Sequence, residues 1–273
     1  MPLTKFPRYP LAHLPTPLEP LERLSDSLGG PRILVKRDDC TGLAMGGNKT
    51  RKLEFLIAEA RERGASAVVT EGGIQSNHVR QSAAAAAKAG LGCHLALDRA
   101  VPPLDQVYEA TGNLFLDRLL GAEISFCAPG QTRKELSARI VDDLRARGQR
   151  PYFIPTGGSS PIGALGYVGC ALEIVDQARR QDLAIDRVVL ASGSGGTMAG
   201  LLVGFALADA ATKVTGIDID HEPERVADEV AAIATGCGAL LGVAGIDRDG
   251  VEVVAGYAAP GYGRPNPGMI EAV

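Results

Sequence analysis

Basic excess is missing: 28 Lys and Arg stand against 32 Asp and Glu, a formal charge of −4 over 273 residues. A nucleic-acid groove or an anionic membrane surface needs clustered positive charge. Neither is therefore expected as a partner, and a small molecule fits better. Paired cysteines are missing too. Cys40, Cys93, Cys127, Cys170 and Cys237 are odd in number and never spaced Cys-x-x-Cys, a pattern of reduced thiols rather than a disulfide framework. No stretch approaches the roughly twenty apolar residues of a membrane span. The first ten residues carry Lys5, Arg8 and three prolines and lead into no apolar region of a secretion signal. A soluble, cytoplasmic protein is the expectation. No His-x-x-x-His or Cys/His cluster offers a metal site, and neither an internal repeat nor a low-complexity tract is present. What is there, 45% hydrophobic and 22% charged residues, suffices for a sizeable core.

Residues 32–36 read as a strand, and residues 50–63 show helical periodicity, with Leu53, Leu56, Ile57 and Ala60 on one face and Gly64 as a stop. Further strands are expected at 67–70, 92–97, 123–127, 152–154, 187–191 and 214–219. Helices are expected at 77–89, 114–120, 131–147 and 162–180, with another after residues 192–197. Short β-branched strands alternating with helices mark an α/β protein with mostly parallel sheets. Ligands of open α/β sheets sit beyond the carboxyl ends of strands. Three polar, glycine-containing loops are expected there, at 42–49, 71–77 and 192–197, and their convergence on one cleft would make a site.

Each loop has its own chemistry. Gly46-Gly47-Asn48-Lys49 places a lysine at a helix start, where the positive end of the dipole lowers an ammonium pKa. A lysine so perturbed suits imine chemistry. The neighbouring Arg51 and Lys52 are expected to be solvated. Ser192-Gly193-Ser194-Gly195-Gly196-Thr197 lies between a strand and a helix, where small residues let backbone N–H groups wrap a phosphate. The same loop begins like a dinucleotide fingerprint, and Asp218 or Asp220 could bind a ribose, but Met198 stands where its third glycine belongs. A Walker-type loop is absent. Gln75-Ser76-Asn77-His78 gathers four polar residues at a helix start that needs one cap.

Taken together, Gly46-Gly47-Asn48-Lys49-Thr50-Arg51-Lys52-Leu53-Glu54, Gln75-Ser76-Asn77-His78, Gly163-Ala164-Leu165-Gly166-Tyr167 and the 192–197 loop resemble the D-cysteine desulfhydrase and aminocyclopropane-carboxylate deaminase family. Its members are type II pyridoxal-phosphate enzymes, similar to tryptophan synthase β, and the motif order matches over essentially the whole chain. The resemblance implies two open, mostly parallel twisted sheets flanked by helices. A large cofactor domain would span 1–48 plus 157–273, and a small domain 49–156. It implies that Lys49 carries pyridoxal 5'-phosphate as a Schiff base and later moves the Cα proton. Asn77 would bond the ring hydroxyl, and Gly193, Ser194, Gly195, Gly196 and Thr197 would hold the phosphate. Ser76 would assist proton transfer, and Tyr262 would stand over the active site. The hard chemistry is the cofactor's.

For a small amino-acid substrate, most simply D-cysteine, the implied reaction is α,β-elimination to pyruvate, hydrogen sulfide and ammonia. His78 after Gln75-Ser76-Asn77 resembles the desulfhydrase branch. Aminocyclopropane-carboxylate deamination and L-cysteate sulfo-lysis are the neighbouring alternatives. A homodimer is implied by the family alone. The family continues beyond the position of Val273, so a truncated chain is expected, and with it a second alternative, a non-catalytic cofactor-binding paralogue. A dinucleotide-dependent oxidoreductase is the third, and it leaves Lys49 without a task.

Overall fold

The computed structural model describes residues 2–99, 107–220, 222–258, 261 and 263–272. A short antiparallel pair, β1 (Leu18–Pro20) and β2 (Leu34–Lys36), flanks helix α1 (Glu22–Leu28). Then come α2 (Lys49–Glu62), β3 (Ala67–Gly73), α3 (Asn77–Ala89), β4 (Gly92–Asp98), α4 (Gly112–Leu119), β5 (Glu123–Phe126), α5 (Arg133–Ala146) and β6 (Pro151–Ile154). The second half holds α6 (Pro161–Arg180), β7 (Arg187–Ser192), α7 (Gly196–Leu207), β8 (Lys213–Asp218), α8 (Pro223–Leu241), β9 (Glu252–Val254) and α9 (Pro267–Ala272). No described helix is long and apolar enough to cross a membrane.

Two parallel sheets result, ordered β5-β4-β3-β6 and β7-β8-β9, as alternating strands and helices require. The expected strand at 32–36 does form, but only over its last three residues. It pairs with β1 apart from both parallel sheets, so the 42–49 loop does not extend from a parallel strand. Instead α2 carries it to the site. The 71–73 segment is also strand rather than loop, because it continues the register with β4 through Gly73 opposite Asp98.

Each sheet has its own apolar core. Leu53, Leu56 and Ile57 of α2 pack with Val68, Val79, Leu95 and Leu97. Phe55 of the same helix joins Leu165, Val168, Met198, Phe205, Val214 and Val230. Helix α2 therefore lies between the cores and is buried almost all round. That position overturns the expected solvation of Arg51 and Lys52, which are 2% and 1% exposed. Arg51 instead bonds Asp38 through Nε and Nη2 (both 2.8 Å) and Glu173 through Nη1 (2.9 Å). A charge so deep is tolerable only when paired in this way. Close approach of α6 to α2 depends on Gly166, where a Cβ would lie 2.3 Å from the Arg51 carbonyl oxygen.

Candidate active site

The starts of α2, α3 and α7 meet at a cavity of about 930 Å³, lined among others by Lys49, Ser76, Asn77, Gly193 and Thr197. All three loops singled out in the sequence contribute to it. That volume lies in the range of small-molecule and cofactor sites.

Lys49 is the first residue of α2 and half-buried. Its Nζ donates to Asn48 Oδ1 (3.0 Å), and Asn48 Nδ2 donates to Thr197 Oγ1 (3.3 Å). Asn48 thus ties the lysine to the opposite loop, a task its adjacency to Lys49 did not reveal. Burial lowers the Lys49 pKa to about 8, because lost solvent penalises the ammonium. The depressed value expected from the helix end is present, with burial as its cause.

At α3 the four polar residues divide their tasks. Gln75 Nε2 donates to the Tyr108 carbonyl (2.7 Å) and its Oε1 accepts from Asn113 N (2.8 Å), which anchors the loop. Ser76 caps the helix by accepting from Val79 N (3.4 Å) and is buried at the cavity wall. Thr70 Oγ1 donates to the Ile154 carbonyl (2.7 Å), so the 2.8 Å contact with His78 Nε2 assigns the proton to that nitrogen. Burial and the two nearby lysines keep His78 neutral by depressing its pKa, and its Nδ1 has no hydrogen-bond partner among the described residues. All four line the cavity, and Asn77 is the most exposed of them.

The third wall is the 192–197 loop. Gly195 sits at φ 72°, and a Cβ there would lie 3.0–3.1 Å from Val230 atoms. A Cβ on Gly196 would meet Ser159 Cα at 2.8 Å. The N-cap Gly195 offers α7 no side chain, and apart from Gly196 N, which Ser159 Oγ takes, an anion at the first turn would find backbone donors and a favourable dipole. Beneath the loop, Lys52 Nζ donates to the Gly157 carbonyl (3.0 Å) and to Ser159 Oγ (3.4 Å). Ser159 Oγ in turn donates to Ser194 Oγ (2.9 Å) and accepts from Gly196 N (3.2 Å). Burial and the charge of Lys49 drive the Lys52 pKa well down. Among the described residues no carboxylate pairs with it. A buried ammonium without a counter-ion is costly, and an anion on the loop would relieve that cost. The residues present therefore fit a phosphate-bearing cofactor beside a reactive amine.

Sequence reasoning missed Lys52 and Ser159, whose partners lie about one hundred residues apart in the chain. Asp218, offered for ribose binding, is buried and accepts from Asp220 N (2.9 Å) instead. Tyr262 lies outside the described residues, although Gly263 lines the cavity. No cluster of metal-ligating side chains occurs among the described residues.

The family described as pyridoxal-phosphate dependent enzymes matches residues 9–272. The D-cysteine desulfhydrase of Serratia proteamaculans is 44% identical over 272 residues, which cover 99% of this chain and 81% of that protein. The 1-aminocyclopropane-1-carboxylate deaminase of Ralstonia pickettii is 44% identical over 280 residues, covering 100% of this chain and 82% of that one. A solved structure of an aminocyclopropane-carboxylate deaminase homologue superimposes with a TM-score of 0.86 at 36% identity, over 96% of this chain and 77% of the other.

Proposed function

Because the chain belongs to the pyridoxal-phosphate dependent enzymes, in the group of D-cysteine desulfhydrases and aminocyclopropane-carboxylate deaminases, and so is a lyase using that cofactor, we propose that it converts D-cysteine and water to pyruvate, hydrogen sulfide and ammonia. The reading rests chiefly on one observation: the Lys49 amine, with its pKa lowered to about 8, shares a cavity with Ser76, Asn77 and a glycine loop backed by the buried amine of Lys52.

In this reading Lys49 would hold the cofactor covalently and Asn77 would bond its ring hydroxyl. The 193–197 loop, with Lys52 behind it, would receive the phosphate. The bound cofactor supplies a sink for the electrons left when Cα loses its proton. Lys49 Nζ is suited to take that proton, since an amine titrating near neutrality exists in both forms at working pH. Ser76 Oγ, held by its capping bond to Val79 N, stands at the wall to assist the transfer. Departure of the β-thiol and addition of water complete the balance. The order Gln75-Ser76-Asn77-His78 supports the thiol substrate. Deamination of aminocyclopropane-carboxylate is the second reading, favoured by the equal 44% identity to an enzyme of that name. We take residues 49–156 as the smaller domain and 1–48 with 157–273 as the larger. The placement of the four-stranded sheet within 67–154 and of the three-stranded one within 187–254 supports this division.

The deciding experiment measures 2-oxo acid release from D-cysteine, L-cysteine, cysteate and aminocyclopropane-carboxylate, with borohydride trapping of the cofactor on Lys49. Pyruvate and sulfide from D-cysteine are expected, and Lys49→Ala should abolish both turnover and trapping. Release of 2-oxobutyrate from aminocyclopropane-carboxylate, with nothing from D-cysteine, would overturn the substrate assignment in favour of the second reading.

A further inference from the structure

Ala44, Met45, Gly46 and Gly47 take positive φ in succession, at 43°, 73°, 71° and 127°. Two of the four lack glycine's freedom, and a run of this kind persists only where its surroundings over-determine it. The surroundings here are Thr41, whose Oγ1 donates to the Gly47 carbonyl (2.9 Å) and accepts from Gly47 N (2.8 Å), and two consecutive residues of α3. Arg80 is buried, and its guanidinium donates to the carbonyls of Ala44 and Gly46 (3.1 Å for the latter). A rigid fork of donors suits two neighbouring carbonyls in a way a single ammonium cannot. Gln81 is fully buried. Its Oε1 accepts from Thr50 N (2.9 Å) and Thr50 Oγ1 (3.0 Å), while its Nε2 donates to the Asn77 carbonyl (2.9 Å). Gly47 packs against the same amide, since a Cβ there would lie 2.5 Å from Gln81 Nε2. Helix α3 therefore grips the chain on both sides of Lys49, and neither gripping residue lines the cavity.

We propose that Arg80 and Gln81 are positioning residues for Lys49, fixing the strained 44–47 segment and the first turn of α2 against the start of α3, and so setting the lysine amine relative to Ser76 and Asn77. The inference rests on Lys49 being the cofactor-bearing amine. Weakening either grip lets the segment relax toward solvent. The Lys49 pKa then climbs from about 8 toward its ordinary value, and the amine drifts from the reacting carbon.

The test uses the full chain, with and without cofactor, as Gln81→Met, Arg80→Met and Arg80→Lys. In cofactor-free protein, acylation of Lys49 by acetic anhydride is followed by peptide mass spectrometry from neutral to alkaline pH. The midpoint should lie near 8 for the unaltered chain and about a unit higher in the two Met variants. In loaded enzyme, kcat should fall about tenfold or more with KM nearly unchanged, as misplacement of a catalytic group by about an ångström implies. Arg80→Lys, which can keep one carbonyl contact, should recover part of both. An unmoved acylation midpoint overturns the inference, including the case in which activity falls only in step with melting temperature. Should Arg80→Met fail to fold, Gln81→Met decides alone. Absence of any borohydride-trapped cofactor on unaltered Lys49 would count against the functional reading, whereas the acylation midpoint tests the grip independently.

Discussion

Helices α3 and α7 both begin at the cavity, yet their first turns are built in opposite ways. The start of α3 is crowded with side chains that already have partners: Gln75 anchors a loop, Ser76 caps and His78 is tied to Thr70. The start of α7 has glycines, an N-cap without a side chain, a single N–H taken by Ser159 and a buried lysine behind it. A capped terminus spends its backbone donors internally and presents side chains. An uncapped one keeps its donors and dipole for an anion. One end of the cavity is thus shaped to orient, the other to hold charge.

The difference can be broken most forcefully by loading the first turn of α7 with negative charge. Thr197→Asp would put a carboxylate on the cavity wall where the phosphate is expected. Like charges brought together cost several kcal/mol, so cofactor affinity should drop by about a thousandfold in a spectroscopic titration. Lys52→Met should act less severely and with opposite signs in two measurements. Cofactor binding should weaken about ten- to a hundredfold through loss of a charge-assisted contact. The cofactor-free protein should melt no lower than the unaltered one, because an apolar side chain replaces a buried amine whose charged form burial penalises. The same variant has a pH signature. Folded-state pKa values of Lys49 and Lys52 lie below that of an unfolded lysine, so the unfolded chain binds more protons and stability rises with pH toward 10.5. Part of that rise, the portion owed to Lys52, should vanish in Lys52→Met. The smallest effect belongs to the other helix. Ser76→Ala removes the α3 cap, worth about 1 kcal/mol, and should lower the melting temperature by a few degrees at most while leaving cofactor affinity nearly unchanged. A large loss of affinity there would show that α3 shares the charge-holding task.

The alternation of strands and helices was legible because period and stop signals are local, and it led to both parallel sheets. The three glycine-containing loops were legible for the same reason, and all three reach the cavity. Arg51 and Lys52 were not. A charged pair on a helix reads as solvated until its partners are known, and Glu173 and Gly157 lie more than a hundred residues away. The strand character of Glu71–Gly73 was hidden because two glycines read as loop, whereas pairing with β4 decides. Residues 18–28 and 223–254 also held elements not foreseen, among them the three-residue strands β1 and β9, too short to carry a periodicity.

The burial of α2 between two cores has a consequence for how the protein comes into being. Phe55 contributes to one core and Leu53 and Leu56 to the other, so a nascent chain that has gathered only one of them leaves this helix half wet. Lys49 then keeps an ordinary, protonated amine. Burial is what lowers the Lys49 pKa, so the amine gains its reactivity only once both halves of the polypeptide are packed around α2.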